Sequence, residues 1–172
     1  MREIIIIGTL HAGLTPKQEL KKFLEDVKPD QVLVEMAEED LRKNRIDSYP
    51  PEMVYTFKWS RKRNIIVNGF DCSLNTLRKG MTDADNLKAI KDSKRLLKNL
   101  SWKDMNKEKN SKILAPINKR LIDPLKERKR NFQMIKNIRK LMIPKGKVVI
   151  VTGCSHLNYF EKHIKEANFA FR

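Results

Sequence analysis

Residues 3–8 read EIIIIG, four consecutive isoleucines followed by a glycine. Residues 31–36 (QVLVEM), 64–69 (NIIVNG) and 147–152 (KVVIVT) have the same character, because they are short, rich in β-branched side chains and continuous rather than alternating. Continuous runs of this kind are typical of strands that are buried on both faces of a parallel sheet. The sequence therefore predicts an α/β fold, with a mainly parallel sheet of at least four strands flanked by helices.

Helical patterns separate these predicted strands. An apolar stripe runs from Leu20 to Val27 at helical spacing, and Thr15 is expected to cap the start of that helix. A second helix is expected after the Pro50-Pro51 pair. Alternation of strand and helix implies right-handed crossovers between parallel strands.

Residues 82–143 interrupt the alternation with helical patterns only. We expect a helical insertion between strands three and four within a single α/β domain that spans residues 1–172. Pro124 lies inside the longest apolar pattern of the insertion, so a kink or two separate helices are expected there.

The net charge of +16 is concentrated in one part of the chain. Residues 1–87 hold 14 Lys and Arg against 14 Asp and Glu, whereas residues 88–147 hold 20 against 5. Segment 88–147 could attract a nucleic acid or another acidic partner, or it could simply be a solvated helical surface. No helix-turn-helix, zinc-finger or RNP aromatic signature accompanies it.

The remaining composition indicates a cytoplasmic protein. Its apolar runs are too short to span a bilayer, and the first residues lack the pattern of a signal peptide. Cys72 and Cys154 do not form a CxxC motif, and two cysteines are too few for a disulfide framework. We expect both to be small buried side chains near the functional site, without a catalytic role.

Each predicted strand ends in a titratable side chain. The first leads into Gly-Thr-Leu-His11, the second ends at Glu35, the third at Asp71, and the fourth leads into Gly-Cys-Ser-His156. Ligands of open parallel sheets bind beyond the carboxyl ends of the strands, so these four side chains are expected to converge there. The third histidine, His163, falls in a predicted C-terminal helix and is expected at the surface.

Two imidazoles and two carboxylates allow two kinds of chemistry. They can bind a divalent metal that activates water, with His11, Glu35 and His156 as ligands and Mn, Co or Zn as the ion. Alternatively, a histidine or glutamate can act as a general base without a metal. Taken singly, Glu35 could instead cap a helix and Asp71 could form a local turn.

The chain resembles the TraB/Tiki superfamily, which includes TraB/PrgY, Tiki and GumN-like proteins and, more distantly, erythromycin esterases and ChaN-like proteins. The resemblance lies in GTLH at residues 8–11, PDQVLVEM at 29–36, GFD at 69–71, RNFQM at 130–134 and GCSH at 153–156. These motifs occur in the order found in the family. The resemblance implies an α/β fold with these residues at one site and an arginine brought there by a helix.

The resemblance also implies hydrolysis of a peptide, amide or ester, metal-dependent in one branch and metal-free in another. On this hypothesis His11, Glu35, Asp71, Arg130 and His156 are catalytic, while Arg130 and Asn131 bind the substrate. A non-catalytic module that sequesters a peptide or small molecule with the same residues is the alternative. A nucleic-acid-binding protein that uses segment 88–147 is a second alternative.

Overall fold

The computed structural model describes residues 1–11, 13–72, 82–110 and 112–172. Within these ranges the chain forms one five-stranded, all-parallel sheet with the strand order β3-β2-β4-β1-β5. The predicted fold class is therefore confirmed, and a short fifth strand is added at one edge. The strands are β1 (Arg2–Thr9), β2 (Gln31–Ala37), β3 (Ile66–Asp71), β4 (Gly146–Gly153) and β5 (Asn168–Phe169).

Helices cover the sheet, and none of those described is long and apolar enough to cross a membrane. Short 3-10 turns lie at Asp104–Asn106, Glu108–Asn110 and Cys154–His156. The described α-helices are α1 (Lys17–Val27), α2 (Glu38–Arg42), α3 (Pro51–Lys62), α4 (Asp83–Leu96), α5 (Ala115–Leu121), α6 (Pro124–Leu141) and α7 (Leu157–His163).

The central strands are buried on both faces, as their continuous apolar sequences predict. Every residue of β2 is buried, and Val148–Val151 of β4 are completely inaccessible to solvent. The third strand begins two residues later than predicted, at Ile66. Asn64 adopts a left-handed conformation (φ 56°) immediately after α3, and this turn delays the extended chain.

The direction in which successive connections cross the sheet reverses after β3. The connections from β1 to β2 and from β2 to β3 step in one direction, whereas those from β3 to β4 and from β4 to β5 step in the other. With right-handed crossovers, α1 and α3 lie on one face and α6 and α7 on the other. The contacts of α1 with α3 and of α6 with α7 agree with this assignment. The reversal opens a crevice between the carboxyl ends of β2 and β4.

The predicted helical insertion between strands three and four is confirmed. It contains α4, two 3-10 turns, α5 and α6, and Pro124 separates α5 from α6 by starting the second helix. The side chain of Asp123 caps α6 by accepting hydrogen bonds from the backbone N–H groups of Leu125 and Lys126. The insertion is tied to the sheet by Asn106, whose amide bonds to both the N–H and the C=O of Gly8 (2.6 and 2.9 Å).

Candidate active site

The structure brings together five of the side chains that were predicted to form the site. Glu35 and Asp71 lie at the ends of β2 and β3, while His11 and His156 follow the ends of β1 and β4. Arg130 reaches them from α6. Since all strands are parallel, these positions share one edge of the sheet, at the crevice between β2 and β4.

An irregularity in β2 directs Glu35 towards β4. The pairing of β2 with β4 continues as far as Val34 and Val151, and the register of β2 with β3 shifts between Val34 and Ala37. Such a bulge re-aims the side chain at its centre. Oε2 of Glu35 accepts hydrogen bonds from Oγ1 of Thr152 (2.7 Å) and from the backbone N–H of Gly153 (2.6 Å).

Arg130 joins the two carboxylates. Its Nη2 donates to Oε1 of Glu35 (2.8 Å) and to Oδ2 of Asp71 (2.5 Å), and its Nε donates to Oδ1 of Asp71 (2.9 Å). The three side chains are at most 11% exposed. Two buried carboxylates in one crevice would repel each other, and the guanidinium between them compensates that repulsion.

The charges around Glu35 keep it ionised despite its burial. Burial by itself raises the pKa of Glu35, but the charges of His156 and Arg130 outweigh it, so the pKa lies well below its usual range. The same ion pairs raise the pKa of Arg130 against the opposing effect of burial. At neutral pH Glu35 is therefore a carboxylate anion that is paired with the guanidinium cation of Arg130.

His156 is enclosed by this cluster and by α6. Its side chain is 4% exposed, its Nε2 lies 3.3 Å from Oε1 of Glu35, and its Nδ1 donates to Oδ1 of Asn131 (2.7 Å). The ring also stacks on Phe160 of α7. Asn131, which was predicted to bind substrate, is itself buried and fixes the orientation of His156.

His11 is placed differently, because its side chain is 48% exposed. Its Nδ1 donates to Oε1 of Glu52 at 2.6 Å, and its Nε2 has no hydrogen-bond partner among the described residues. Burial lowers the pKa of His11, but the hydrogen bond to Glu52 and the negative charges of Glu35 and Glu52 outweigh it and raise the pKa above 6.5. The ring thus offers one unpartnered nitrogen at the crevice.

Glu52 is the site residue that the sequence analysis missed. It lies in the first turn of α3, is 1% exposed, and its Oε2 has no hydrogen-bond partner among the residues that the structure describes. An acidic residue after a helix-starting proline is commonplace, because it interacts favourably with the helix dipole at the surface. In the structure Glu52 shares the buried face of α3 with Thr56, one turn later, and no local sequence pattern signals this burial.

Thr15 and Gly153 hold His11 in place. Thr15 does not cap α1 as predicted; its Oγ1 accepts from the N–H of Leu10 (2.8 Å) and donates to the C=O of Leu10 (3.0 Å), while α1 begins after Pro16. Thr15 therefore braces the residue next to His11. At Gly153, an added Cβ would lie 3.1 Å from Nε2 of His11 and 3.5 Å from Oε2 of Glu35. A side chain at residue 153 would therefore crowd the imidazole of His11.

The donor set is a poor match for a metal in this arrangement. Both oxygens of Glu35 already accept from Arg130, Thr152 and Gly153, and Arg130 occupies the position between the carboxylates that a cation would take. In the part of the chain that the structure describes, no three His, Cys, Asp or Glu side chains are grouped so that they could hold a metal ion. The binding of Mn, Co or Zn by His11, Glu35 and His156 stays a prediction.

Both cysteines adjoin the site, as expected, but only Cys154 is buried, whereas Cys72 is half-buried. The N–H of Cys72 donates to Oδ1 of Asp71 (2.7 Å), and Cys154 follows Gly153. Burial raises the pKa of both thiols, that of Cys154 to about 12. Both are thus neutral thiols at physiological pH, which are weak nucleophiles.

His11 opens into a pocket of about 320 Å³ between the sheet edge and the insertion. Gly153, Cys154 and Ser155 line one side of this pocket, and residues of α4 and α5 line the other. The third histidine, His163, lies outside the site, where its Nδ1 donates to the C=O of Tyr159. Comparisons of the chain with protein-family models, with curated proteins and with solved structures give no match.

Proposed function

We propose that the protein is a hydrolase of the TraB/Tiki type that cleaves an ester or amide bond, with His11 as its general base. One observation carries the proposal. Nδ1 of His11 is held at 2.6 Å by the buried Glu52, while Nε2 is unpartnered among the described residues and opens into a pocket. A base whose tautomer and orientation are fixed by a buried carboxylate is the arrangement that activates water or a hydroxyl group in acyl transfer.

The reaction begins with neutral His11, in which Nδ1–H donates to Glu52 and Nε2 carries the lone pair. Nε2 takes a proton from a water molecule in the pocket as the water oxygen attacks the carbonyl carbon of the substrate. The resulting imidazolium is stabilised by the carboxylate of Glu52. The imidazolium then returns the proton to the leaving alcohol or amine as the carbonyl forms again, so that His11 ends the cycle as it began.

Arg130 supplies positive charge near the reacting group. Its Nε and Nη2 are used by Asp71 and Glu35, whereas its Nη1 has no partner among the described residues. We assign this nitrogen to the substrate, either to the oxyanion of the tetrahedral intermediate or to an anionic substituent. Asp71 and Glu35 are then positioning residues, because they fix the plane of the guanidinium.

The metal-dependent form of the reaction is the less favoured version of the same proposal. A metal bound by His11, Glu35 and His156 would have to displace the donors that now occupy Glu35. Because a guanidinium already compensates the carboxylates, the residues can perform base catalysis without an additional cation.

The proposal is tested by hydrolysis of a panel of nitrophenyl esters and anilides with EDTA-treated protein, repeated after addition of Mn²⁺, Co²⁺ or Zn²⁺. The proposal expects turnover in EDTA that is lost in His11→Ala and retained in His163→Ala, the control outside the site. Turnover that requires an added metal would overturn the metal-free mechanism. Ligand binding without turnover under every condition would favour the sequestering alternative.

A further inference from the structure

The pocket beside His11 has an uncharged lining, whereas the insertion that forms one of its walls is strongly cationic. The described residues of its lining include His11 but no Lys, Arg, Asp or Glu. Segment 88–147 carries 20 cationic residues, yet α4 and α5 turn apolar side chains to the pocket, among them Ala89, Ile90, Ile117 and Leu121. The cationic side chains Lys88 and Lys91 of α4 are exposed.

We infer that the pocket binds the acyl chain of the substrate, and that this chain is aliphatic. The inference rests on the proposed function, because it places the scissile carbonyl beside His11. The described lining has polar but uncharged side chains at Thr9, Ser93, Asn118 and Ser155, so a charged acyl group would lose its hydration in this pocket without gaining an ion-pair partner from Lys, Arg, Asp or Glu. The same lining residues include no Phe, Tyr or Trp, so an aromatic ring would find no stacking partner there.

The size and exposure of the pocket agree with an aliphatic chain. Its volume of about 320 Å³ is at the lower end of the range for small-molecule sites, which suits a short or medium chain. Ile90 is 40% exposed although it lines the pocket. An aliphatic ligand covers such a side chain and removes apolar surface of both partners from water.

Chain length provides the first test. Nitrophenyl acetate, butanoate, hexanoate and octanoate are compared by kcat/KM in the full-length protein. Each added methylene is expected to raise kcat/KM about fourfold, the equivalent of ~0.8 kcal/mol of burial, until the pocket is filled. An equally reactive benzoate ester is expected to be a poorer substrate than the hexanoate. A flat response to chain length would overturn the inference.

A charge placed inside or outside the pocket provides the second test. Ile90→Glu puts a carboxylate on the pocket wall and is expected to remove the preference for longer chains. Leu87→Glu makes the same change on the same helix at an exposed position that is not part of the lining, and it is expected to preserve the preference. Equal effects of the two variants would contradict the inference.

Binding separates the inference from the proposed function. Octanamide and benzamide are titrated calorimetrically into His11→Ala, which lacks the proposed base but keeps the other lining residues. Preferential binding of octanamide that Ile90→Glu weakens about tenfold or more, in a protein whose wild type hydrolyses nothing, would support the pocket and overturn the hydrolase. Hydrolysis that is indifferent to chain length and to Ile90→Glu would support the hydrolase and overturn the pocket.

Discussion

The two GxxH turns, at residues 8–11 and 153–156, follow neighbouring parallel strands and yet place their histidines in opposite environments. His11 is 48% exposed and has one partner, whereas His156 is 4% exposed and has contacts on both ring nitrogens. After β4 the chain passes through a 3-10 turn straight into α7, which draws His156 under α6. After β1, which ends at Thr9, α1 does not begin until Lys17, and His11 lines the pocket. Identical spacing therefore does not imply an identical role.

The largest expected effect is the loss of kcat when His11, but not His156, is replaced by alanine. We expect His11→Ala to reduce kcat by roughly 10²–10⁴-fold, the usual contribution of a general base. Its effect on the free energy of unfolding is expected to be limited to the hydrogen bond that the buried Glu52 loses, about 1–3 kcal/mol. His156→Ala is expected to destabilise the fold by about 1–3 kcal/mol, because Glu35 and Asn131 lose a buried partner. Steady-state kinetics and urea unfolding of both variants measure the two effects. A stable, inactive His156→Ala would transfer the role of base to His156.

Arg130 is the next most sensitive position, because it compensates two buried charges. Arg130→Met is expected to lower the free energy of unfolding by about 3–5 kcal/mol at neutral pH. The matched control is Arg63→Met, which breaks an exposed pair with Glu25 and is expected to cost less than about 1 kcal/mol. Equal losses in urea unfolding would show that the cluster contributes no more than a surface ion pair.

The same cluster predicts a pH dependence of stability. The pKa of Glu35 is lower in the folded state than its usual value near 4.5. Its ionised form therefore contributes stability above about pH 4.5, and this contribution is lost as the pH falls through the folded pKa. The difference between wild type and Arg130→Met should accordingly shrink in acid. A difference that grows in acid would contradict the assignment of Glu35 as a carboxylate.

The glycines of the two turns extend the comparison. Gly153→Ala places a methyl group 3.1 Å from Nε2 of His11, so it is expected to displace the ring and reduce kcat about tenfold or more. Gly8→Ala meets Cδ1 of Leu157 at 2.6 Å, so it is expected to affect stability before activity. Kinetics and thermal unfolding of the pair check the contrast. The reverse pattern would mean that His11 is not the group whose position limits the reaction.

A pH–rate profile measures the coupling of His11 to Glu52. The base must be neutral, so kcat/KM is expected to rise with pH through a midpoint above 6.5, because the pKa of His11 is raised. Glu52→Gln removes the charge that raises this pKa and should move the midpoint to lower pH. An unchanged midpoint in Glu52→Gln would exclude His11 as the titrating group.

The smallest effect concerns the outer surface of the insertion, where a nucleic-acid or acidic partner stays a prediction. Phe132 of α6 is 58% exposed, and the ammonium group of Lys136 lies 5.7 Å from its ring centre. Lys129→Glu with Lys136→Glu is expected to weaken any salt-dependent binding of RNA or DNA and to leave ester hydrolysis unchanged. Fluorescence anisotropy at two salt concentrations measures it. If binding persists in the variant and at high salt, the nucleic acid binds to another part of the chain.

The sequence was sufficient to predict the parallel sheet, the insertion and the shared edge of the four titratable residues. Continuous β-branched runs identify buried strands, and parallel strands necessarily place their ends together. The role of Glu52 was not predictable, because its burial depends on how α3 packs on the sheet rather than on any local pattern. The same holds for Thr15, which bonds to Leu10 instead of capping α1. Tertiary contacts override local preferences at both positions.

The charged cluster has a consequence for when the candidate site forms during folding. Its hydrogen bonds join residues that are far apart in sequence: 59 positions separate Arg130 from Asp71, 95 separate it from Glu35, and 118 separate Glu35 from Gly153. Contacts of such long range form only after most of the chain has collapsed. A full-length but partly folded chain therefore contains every residue of the site before these residues reach their native arrangement. Turnover of an ester would serve as a direct kinetic probe of the final step of folding.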